Sequence, residues 1–263
     1  MAKRNTAVYL YCVVGAARRP ALARVPAGLP GGTRPDAHRL SDSLWLITAD
    51  VPLDVYGPSH LEPRLRDLDW VSEAAIAHEA VVEHFSRTKG AVVVPTKLFT
   101  MFSSIEKAVA DVAADKAAIE RAMRHIAGSE EWGVRITRRP TAAVSAGGAA
   151  APRPTTGAAF LTARREARDA SATIRAATVA AADEAFTRLS AHARDVQRRP
   201  RRQEPGSNPP ILEAAFLVTN AARARFKAEA KRQAALCEAA GAELTLTGPW
   251  PAYNFIGAAR ESA

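Results

Sequence analysis

Cysteine, aromatic residues and long apolar runs are all scarce in this sequence. Only two cysteines, Cys12 and Cys237, occur among the 263 residues, far apart and outside any CxxC pair. Such thiols are typical of small core residues in a reducing compartment rather than of a disulfide framework. The sequence has neither a run of about 18 apolar residues nor an apolar segment at its start, so it predicts no membrane helix and no signal peptide. The expected location is the cytoplasm.

Motifs that carry catalysis or hold cofactors are also missing. The sequence contains no G-x-S-x-G, no P-loop and no G-x-G-x-x-G. His78-Glu79 is similar to the start of a zinc-protease motif, but Val82 stands where the second histidine would be. His84 follows about 240° further around a helix, so the two imidazoles would diverge. We therefore expect no enzyme activity, no metal, no cofactor and no small-molecule substrate.

Positive charge exceeds negative charge. Lys and Arg number 36 against 27 Asp and Glu, a net charge of +9. The segment 194–202 holds five arginines and one aspartate, and it opens a predicted basic loop over 194–210. Such a loop can contact nucleic acid or an acidic partner. No aromatic platform for bases interleaves these arginines, so a solvated loop is favoured and a nucleic-acid-binding or regulatory adaptor is the alternative.

The first half of the chain alternates strand and helix signals. Runs rich in β-branched and aromatic residues predict strands over 6–14, 44–48, 91–98 and 132–136. Capping boxes at Ser59–Glu62 and Ser103–Glu106 open predicted helical regions that end at Gly90 and Gly128. This order predicts an α+β domain over 1–139, with one mixed sheet and helices on one face.

The second half predicts a smaller α+β domain over 157–263. It follows a linker over 140–156 that consists mostly of alanine, glycine, proline, serine and threonine. Its predicted elements are a long helix over 157–198, a strand over 211–218, a helix that Asn220 caps and that reaches Ala240, and a closing strand over 243–247.

An unusual aromatic tail follows the closing strand. In Gly248-Pro-Trp-Pro251 two prolines bracket Trp250, and Tyr253 and Phe255 follow in alternation. Proline fixes φ and lacks a backbone donor, so this segment ends the strand stiffly. Trp132, Trp250, Tyr253 and Phe255 are candidate partner-binding residues, whereas core packing is the favoured alternative for aromatic side chains of this kind.

Several of these stretches together match a known family. They are Val8–Val14, His78–Val82 with Val93–Thr100, Glu131–Arg135, and Ile211–Val218 with Leu246–Phe255. On these residues the chain resembles the GvpL/GvpF family of gas vesicle proteins, and Glu-Trp-Gly-Val and Gly-Pro-Trp-Pro are the most specific elements. The family has an Arg-Phe-Gly-Thr-like turn where this chain has Lys97-Leu-Phe-Thr100, so we expect a different backbone path there. Ala252 replaces a second family proline.

The resemblance implies a non-enzymatic protein of gas vesicle formation, located in the cytoplasm at the gas vesicle. It also implies two α+β domains, the first of them ferredoxin-like. The implied role is that of a minor structural component or assembly factor, with the major shell protein as partner and other gas vesicle proteins as further candidates. No nucleic acid and no membrane are expected as partners. A partner with apolar and aromatic surface suits this role, because it can cover the exposed face of a hydrophobic subunit.

Overall fold

The structure is a computed structural model that describes residues 5–139, 156–199 and 209–257. The chain divides into two compact units, one of Met1–Glu130 with Trp250–Ala263 and the other of Glu131–Pro249. This division differs from the predicted boundary at 140–156, because the strand that begins at Ser129 pairs into the second unit and the tail returns to the first. Residues 140–155 of the predicted linker lie outside the described residues.

The first unit is built on one sheet. Its strands are β1 (Thr6–Gly15), β2 (Asp36–Arg39), β3 (Leu44–Pro52), β4 (Val92–Pro95) and β5 (Met101–Phe102). The order is β2-β3-β1-β4, and β5 also pairs with β1. Every pairing that the described residues make in this sheet is antiparallel, whereas the sequence analysis predicted a mixed sheet. The α+β class itself is confirmed.

Strand β1 lies at the centre of this sheet because it is apolar on both faces. Its residues from Ala7 to Val14 are all buried. Tyr9 and Tyr11 belong to the main core of the unit, and a bulge between Leu10 and Cys12 then shifts the alternation, so that Gly15 faces the other side, against the Met123 side chain. Both faces of the strand are therefore covered, rather than the single face that the sequence predicted.

Five helices accompany this sheet in the described part of the first unit. They are α1 (Leu53–Tyr56), α2 (Pro58–Arg64), α3 (Leu68–Ser86), α4 (Ile105–Ala114) and α5 (Lys116–Ile126). Asp67 caps α3 by accepting the Asp69 and Trp70 N–H groups at 3.1 and 3.2 Å. The predicted cap at Ser59 is wrong, because α2 begins at Pro58 after Gly57 without a side-chain cap. The predicted helix to Gly128 is two helices, which meet at Asp115.

The second unit has the βαββαβ connectivity of a ferredoxin-like fold. Its elements are β6 (Ser129–Arg138), α6 (Gly157–Ser190), β7 (Asp195–Arg198), β8 (Leu212–Thr219), α7 (Arg223–Ala239) and β9 (Ala242–Trp250). The strand order is β7-β8-β6-β9. The first sheet has the corresponding order, but the segment 16–35 replaces the first crossover helix there. The full ferredoxin-like connectivity thus lies in the second unit, whereas the resemblance implied it for the first.

Two helix boundaries in the second unit also differ from their predicted positions. Helix α6 ends at Ser190 instead of 198, because Asp195–Arg198 pairs antiparallel with β8, with Val196 opposite Phe216. Helix α7 has Ala222 at its N-cap without a side-chain cap, and Asn220 instead accepts from the Arg223 guanidinium at 3.0 Å.

Gly248 is the residue type that the end of β9 requires. Its φ is +119°, and a Cβ there would lie 2.9 Å from the Glu131 carbonyl oxygen.

Candidate partner-binding surface

An exposed apolar surface of the first unit lies where α2 is followed by α3. Leu65, Leu68 and Ile76 have exposed fractions of 47%, 76% and 71%. We call these three residues the α2–α3 surface. Extended exposed apolar surface marks interaction sites, whereas single exposed apolar side chains are normal, so three large ones within residues 65–76 point to an interaction site. The α2–α3 surface is therefore the candidate site of this unit.

A shallow groove of about 530 Å³ runs beside the exposed side of α3. Ile76, Ala77 and Ala80 form its helical wall, and Gly28 and Pro30 line it from the loop after β1. The small side chains at 77 and 80 leave room for a larger apolar group from outside. The groove extends the α2–α3 surface along the helix.

Helix α3 is acidic in a basic protein. Its sequence, Leu68–Ser86, contains four acidic residues and no lysine or arginine. Glu83 pairs with Arg87 and Glu79 accepts from Tyr253. Asp69 and Glu73, the other two, line the groove and are exposed. A partner that complements this surface should carry apolar side chains beside positive charge.

The opposite face of α3 is fixed in the core. Ala74, Val81, Val82 and Phe85 are buried there among residues of β1 and β3. His78 is buried in the same face, and its Nδ1 atom lies 2.7 Å from the Tyr9 hydroxyl. The exposed leucine and isoleucine are therefore carried by a helix whose other side is held by packing and hydrogen bonding.

Burial and the hydrogen bond with Tyr9 set the protonation state of His78. The Tyr9 hydroxyl accepts from the Phe99 N–H at 3.3 Å, so its own proton is available to the His78 Nδ1 atom. Burial lowers the pKa of His78 to about 4, and the Thr96 backbone acts in the opposite direction. The imidazole is therefore neutral near pH 7 and serves as a core acceptor.

The turn at Phe99 lacks the family's glycine, and a different backbone path was expected there for that reason. Phe99 has φ +63°, in the left-handed region that favours glycine, so this chain keeps the conformation that a glycine would adopt there. Its N–H bonds to Tyr9, and its ring stacks on Trp70 with centroids 5.5 Å apart. These contacts offset a strain of about 1–2 kcal/mol for a side chain in this region. The sequence change at this turn is accommodated by packing rather than by rerouting.

The aromatic tail belongs to the first unit. The Tyr253 hydroxyl donates to the Glu79 Oε2 atom at 2.6 Å, and Phe255 has an exposed fraction of 1%. Burial raises the pKa of Glu79, and the hydrogen bond from Tyr253 opposes that shift. Burial raises the pKa of the Tyr253 hydroxyl as well. The tail is thus held by one charged hydrogen bond and one buried ring.

The four candidate aromatic residues do not form one exposed site. Trp132 is buried in the second unit, 6.2 Å from the Phe226 ring, with the Lys227 ammonium 5.7 Å from its centroid. In the first unit Phe255 is buried and Tyr253 is half-buried. Trp250 has an exposed fraction of 44% and is the candidate that remains open to a partner.

The basic loop is partly engaged in internal contacts. Arg198 pairs with Asp183 at 2.9 Å, and its guanidinium lies 5.3 Å from the Phe186 ring. Arg199 pairs with Glu213 at 3.3 Å. Residues 200–208 of the loop lie outside the described residues. The described arginines therefore offer little support to the nucleic-acid alternative, which needs cations free for phosphates.

Sequence reasoning did not identify the α2–α3 surface. The helical region predicted from Ser59 is interrupted, because α2 ends at Arg64 and α3 begins at Leu68. Pro63 and the cap at Asp67 are the sequence signals of that break. Ile76 lies outside the buried face of α3, which consists of its neighbours at 74, 78, 81, 82 and 85.

Within residues 5–139, 156–199 and 209–257, no helix is both long enough and apolar enough to cross a membrane. Within the same ranges, no group of three or more His, Cys, Asp or Glu side chains could hold a metal ion.

Comparisons with known proteins agree over almost the whole chain. The family profile described as "Gas vesicle synthesis protein GvpL/GvpF" matches residues 7–257. "Gas vesicle protein L" of Streptomyces sp. (strain CB03234) is 31% identical over 267 aligned positions, which cover 96% of this chain and 94% of that protein.

Solved structures of gas vesicle proteins share the fold. The crystal structure of GvpF from Anabaena sp. PCC7120 has a TM-score of 0.66 at 15% identity, and covers 95% of this chain and 96% of its own. GvpF from Microcystis aeruginosa has a TM-score of 0.62 at 14% identity, with 95% and 98% covered. At these identities the likeness shows the fold alone.

Proposed function

Because the chain belongs to the GvpL/GvpF family of gas vesicle synthesis proteins, we propose that it is a minor component or assembly factor that binds the hydrophobic shell subunit. In this role the protein holds the subunit soluble, or delivers it to the growing shell, without catalysing a reaction. The site of action is the gas vesicle in the cytoplasm. Other gas vesicle proteins are further candidate partners.

The observation that carries the proposal is the α2–α3 surface. Leu68 and Ile76, with exposed fractions of 76% and 71%, lie on a helix whose other face is buried in the core. A fixed apolar surface loses little conformational freedom when it binds, which favours association with an apolar partner. The surface thus supplies what a carrier of a hydrophobic subunit needs.

Trp250 is a second proposed contact. It is exposed by 44%, and tryptophan is enriched among residues that dominate binding energy at interfaces. Trp132, Tyr253 and Phe255 act in this account as packing residues that hold their units together, and not as contacts.

Two experiments test the function in a gas-vesicle-forming host. The purified chain is expected to retain the shell subunit in a pull-down, and cells that lack the gene are expected to lose flotation. Re-introducing the gene should restore flotation. Normal vesicles in the deletion strain, together with no retention of the subunit, would refute the proposal.

A further inference from the structure

The second unit carries a helical segment whose described side chains are exposed. Every described side chain of 157–177, the first part of α6, is exposed, whereas Thr178, Ala182, Ala185 and Leu189 further along the same helix are buried. We call 157–177 the exposed half of α6. Phe160 and Leu161 have exposed fractions of 52% and 65% in this half.

An isolated helical stretch of this kind gains little stability from its own backbone. Most helical stability in proteins comes from packing an apolar face rather than from intrinsic propensity. The large apolar side chains of the exposed half of α6 remain between 48% and 65% exposed, at Phe160, Leu161 and Ile174. A partner that covers them would stabilise the segment.

The net charge of the exposed half of α6 is opposite in sign to that of α3. The exposed half contains four arginines against one glutamate and one aspartate. Arg165 and Arg168 share Asp169 at 4.0 and 3.8 Å, in exposed pairs that hold the side chains only weakly. The groove beside α3, in contrast, carries the exposed carboxylates of Asp69 and Glu73.

The spacing of the arginines along α6 also matches the spacing of the carboxylates along α3. Arg164 and Arg168 are one helical turn apart, and so are Asp69 and Glu73, about 6 Å along each axis. In an antiparallel alignment that puts Phe160 beside Ala77, Leu161 comes to Ile76 and Arg164 to Glu73. Arg168 then comes to Asp69. One register thus joins apolar to apolar and positive to negative at each of these positions.

We propose that the exposed half of α6 of one copy docks in this register on Ile76 and the groove beside α3 of a second copy. A reciprocal pair of such contacts closes a two-fold dimer, and the free protein thereby covers its apolar surface. The shell subunit would displace the helix when it binds. This last step rests on the proposed function, whereas the contact between copies does not.

Analytical ultracentrifugation of the full chain over a range of concentration and salt tests the contact. We expect a dimer that weakens as salt rises, because the pairs Arg164–Glu73 and Arg168–Asp69 are exposed and screened. Association should weaken by roughly tenfold or more when the charges on one helix are reversed. The two variants are Arg164→Glu with Arg168→Glu on α6 and Asp69→Arg with Glu73→Arg on α3. Mixing the two reversed variants should restore association.

Two exposed residues outside the register provide matched controls. Arg225→Glu on α7 and Asp111→Arg on α4 each reverse one charge of the same kind and should leave association unchanged. A chain that stays monomeric over the whole concentration range would overturn the proposal. So would association that responds equally to the control reversals, or that the mixed variants fail to restore.

A second arm separates this inference from the proposed function. Because Arg164→Glu with Arg168→Glu frees Ile76 and the groove beside α3, this variant should retain more shell subunit than the unmodified chain. A dimer that obeys the charge reversals while no form of the chain binds the subunit would refute the function and leave the contact standing. Equal retention by the two forms of the chain, despite loss of the dimer, would refute the displacement step.

Discussion

Single residues in the first unit have roles that their chemistry does not reveal in sequence. His78-Glu79 has the appearance of a catalytic pair, yet the structure uses each side chain for packing. The His78 Nδ1 atom lies 2.7 Å from the Tyr9 hydroxyl, and Glu79 accepts from Tyr253 at 2.6 Å. Histidine in a core of this kind is a structural acceptor, and its burial has consequences for stability rather than for catalysis.

The buried imidazole predicts a pH dependence of stability. The pKa of His78 is near 4 in the folded chain and about 6.5 in the unfolded chain. Between pH 6.5 and 4 the imidazole is therefore protonated in the unfolded state and neutral in the folded state. We expect the free energy of unfolding to fall by up to about 3 kcal/mol between pH 6.5 and 4 through this residue.

Denaturant unfolding across this pH range measures the effect. His78→Gln should be less stable at pH 7 and should lack the His78 part of the pH slope. Glu79, whose pKa is raised, contributes with the opposite sign, because the folded state keeps its proton to higher pH. An unchanged slope in His78→Gln would contradict a buried neutral imidazole.

Two aromatic residues of the tail are expected to differ in how much stability their truncation costs. Phe255→Ala should cost about 3–5 kcal/mol, because the ring is buried at 1% exposure. Trp250→Ala should change stability by less, about 0.5–1 kcal/mol, because 44% of that side chain is exposed. Thermal unfolding of both variants checks the difference, and equal losses would contradict the assignment of Trp250 to the surface.

At the scale of elements, sequence patterns predicted the apolar strands better than the short polar ones. β1, β4 and β8 are rich in β-branched and aromatic residues and are buried, so their own composition identifies them. β2 (Asp36–Arg39) and β7 (Asp195–Arg198) are short and polar, and they are strands because they pair with β3 and β8. Pairing between distant segments leaves no local signal.

The same limit explains why the candidate surface was missed. An apolar side chain at helical spacing is usually buried, so Leu68 and Ile76 give no sign of exposure in the sequence. Their exposure follows from which face of α3 meets β1, and His78, Val81 and Phe85 decide that face. The tail aromatics were correctly favoured as packing residues in the case of Phe255, but the sequence could not single out Trp250.

Helix α6 is expected to differ in protection along its length. Amide hydrogens of 178–190 should exchange slowly, because Ala182, Ala185 and Leu189 are buried there. Amides of 157–177 should exchange quickly in dilute protein and more slowly at concentrations that favour the dimer. Hydrogen exchange with mass spectrometry resolves the two segments, and protection of 157–177 that is independent of concentration would contradict the proposed docking.

At the scale of the whole molecule, the chain builds two units from segments that interleave in sequence. The first unit needs the tail from Trp250 onward, and the second is continuous over 131–249. Composition placed the boundary at 140–156, because a stretch rich in small residues is typical of a linker. The strand before that stretch nevertheless belongs to the second sheet, where β6 lies between β8 and β9.

Fragments test this division. A fragment of residues 129–250 contains all four strands and both helices of the second unit and is expected to fold cooperatively. A fragment of 157–249 lacks the central strand β6 and is expected to stay unfolded. Circular dichroism during thermal unfolding distinguishes the two, and cooperative folding of the shorter fragment would favour the boundary that composition suggested.

The most direct test of the central claim is a quantitative pull-down of the shell subunit by matched surface variants. Leu68→Asp with Ile76→Asp should lose retention of the subunit at unchanged thermal stability, because both side chains are exposed. Leu236→Asp, at an apolar position exposed by 52% on α7, should bind like the unmodified chain. Full retention by the α2–α3 variant, or equal loss in the Leu236 control, would contradict the account.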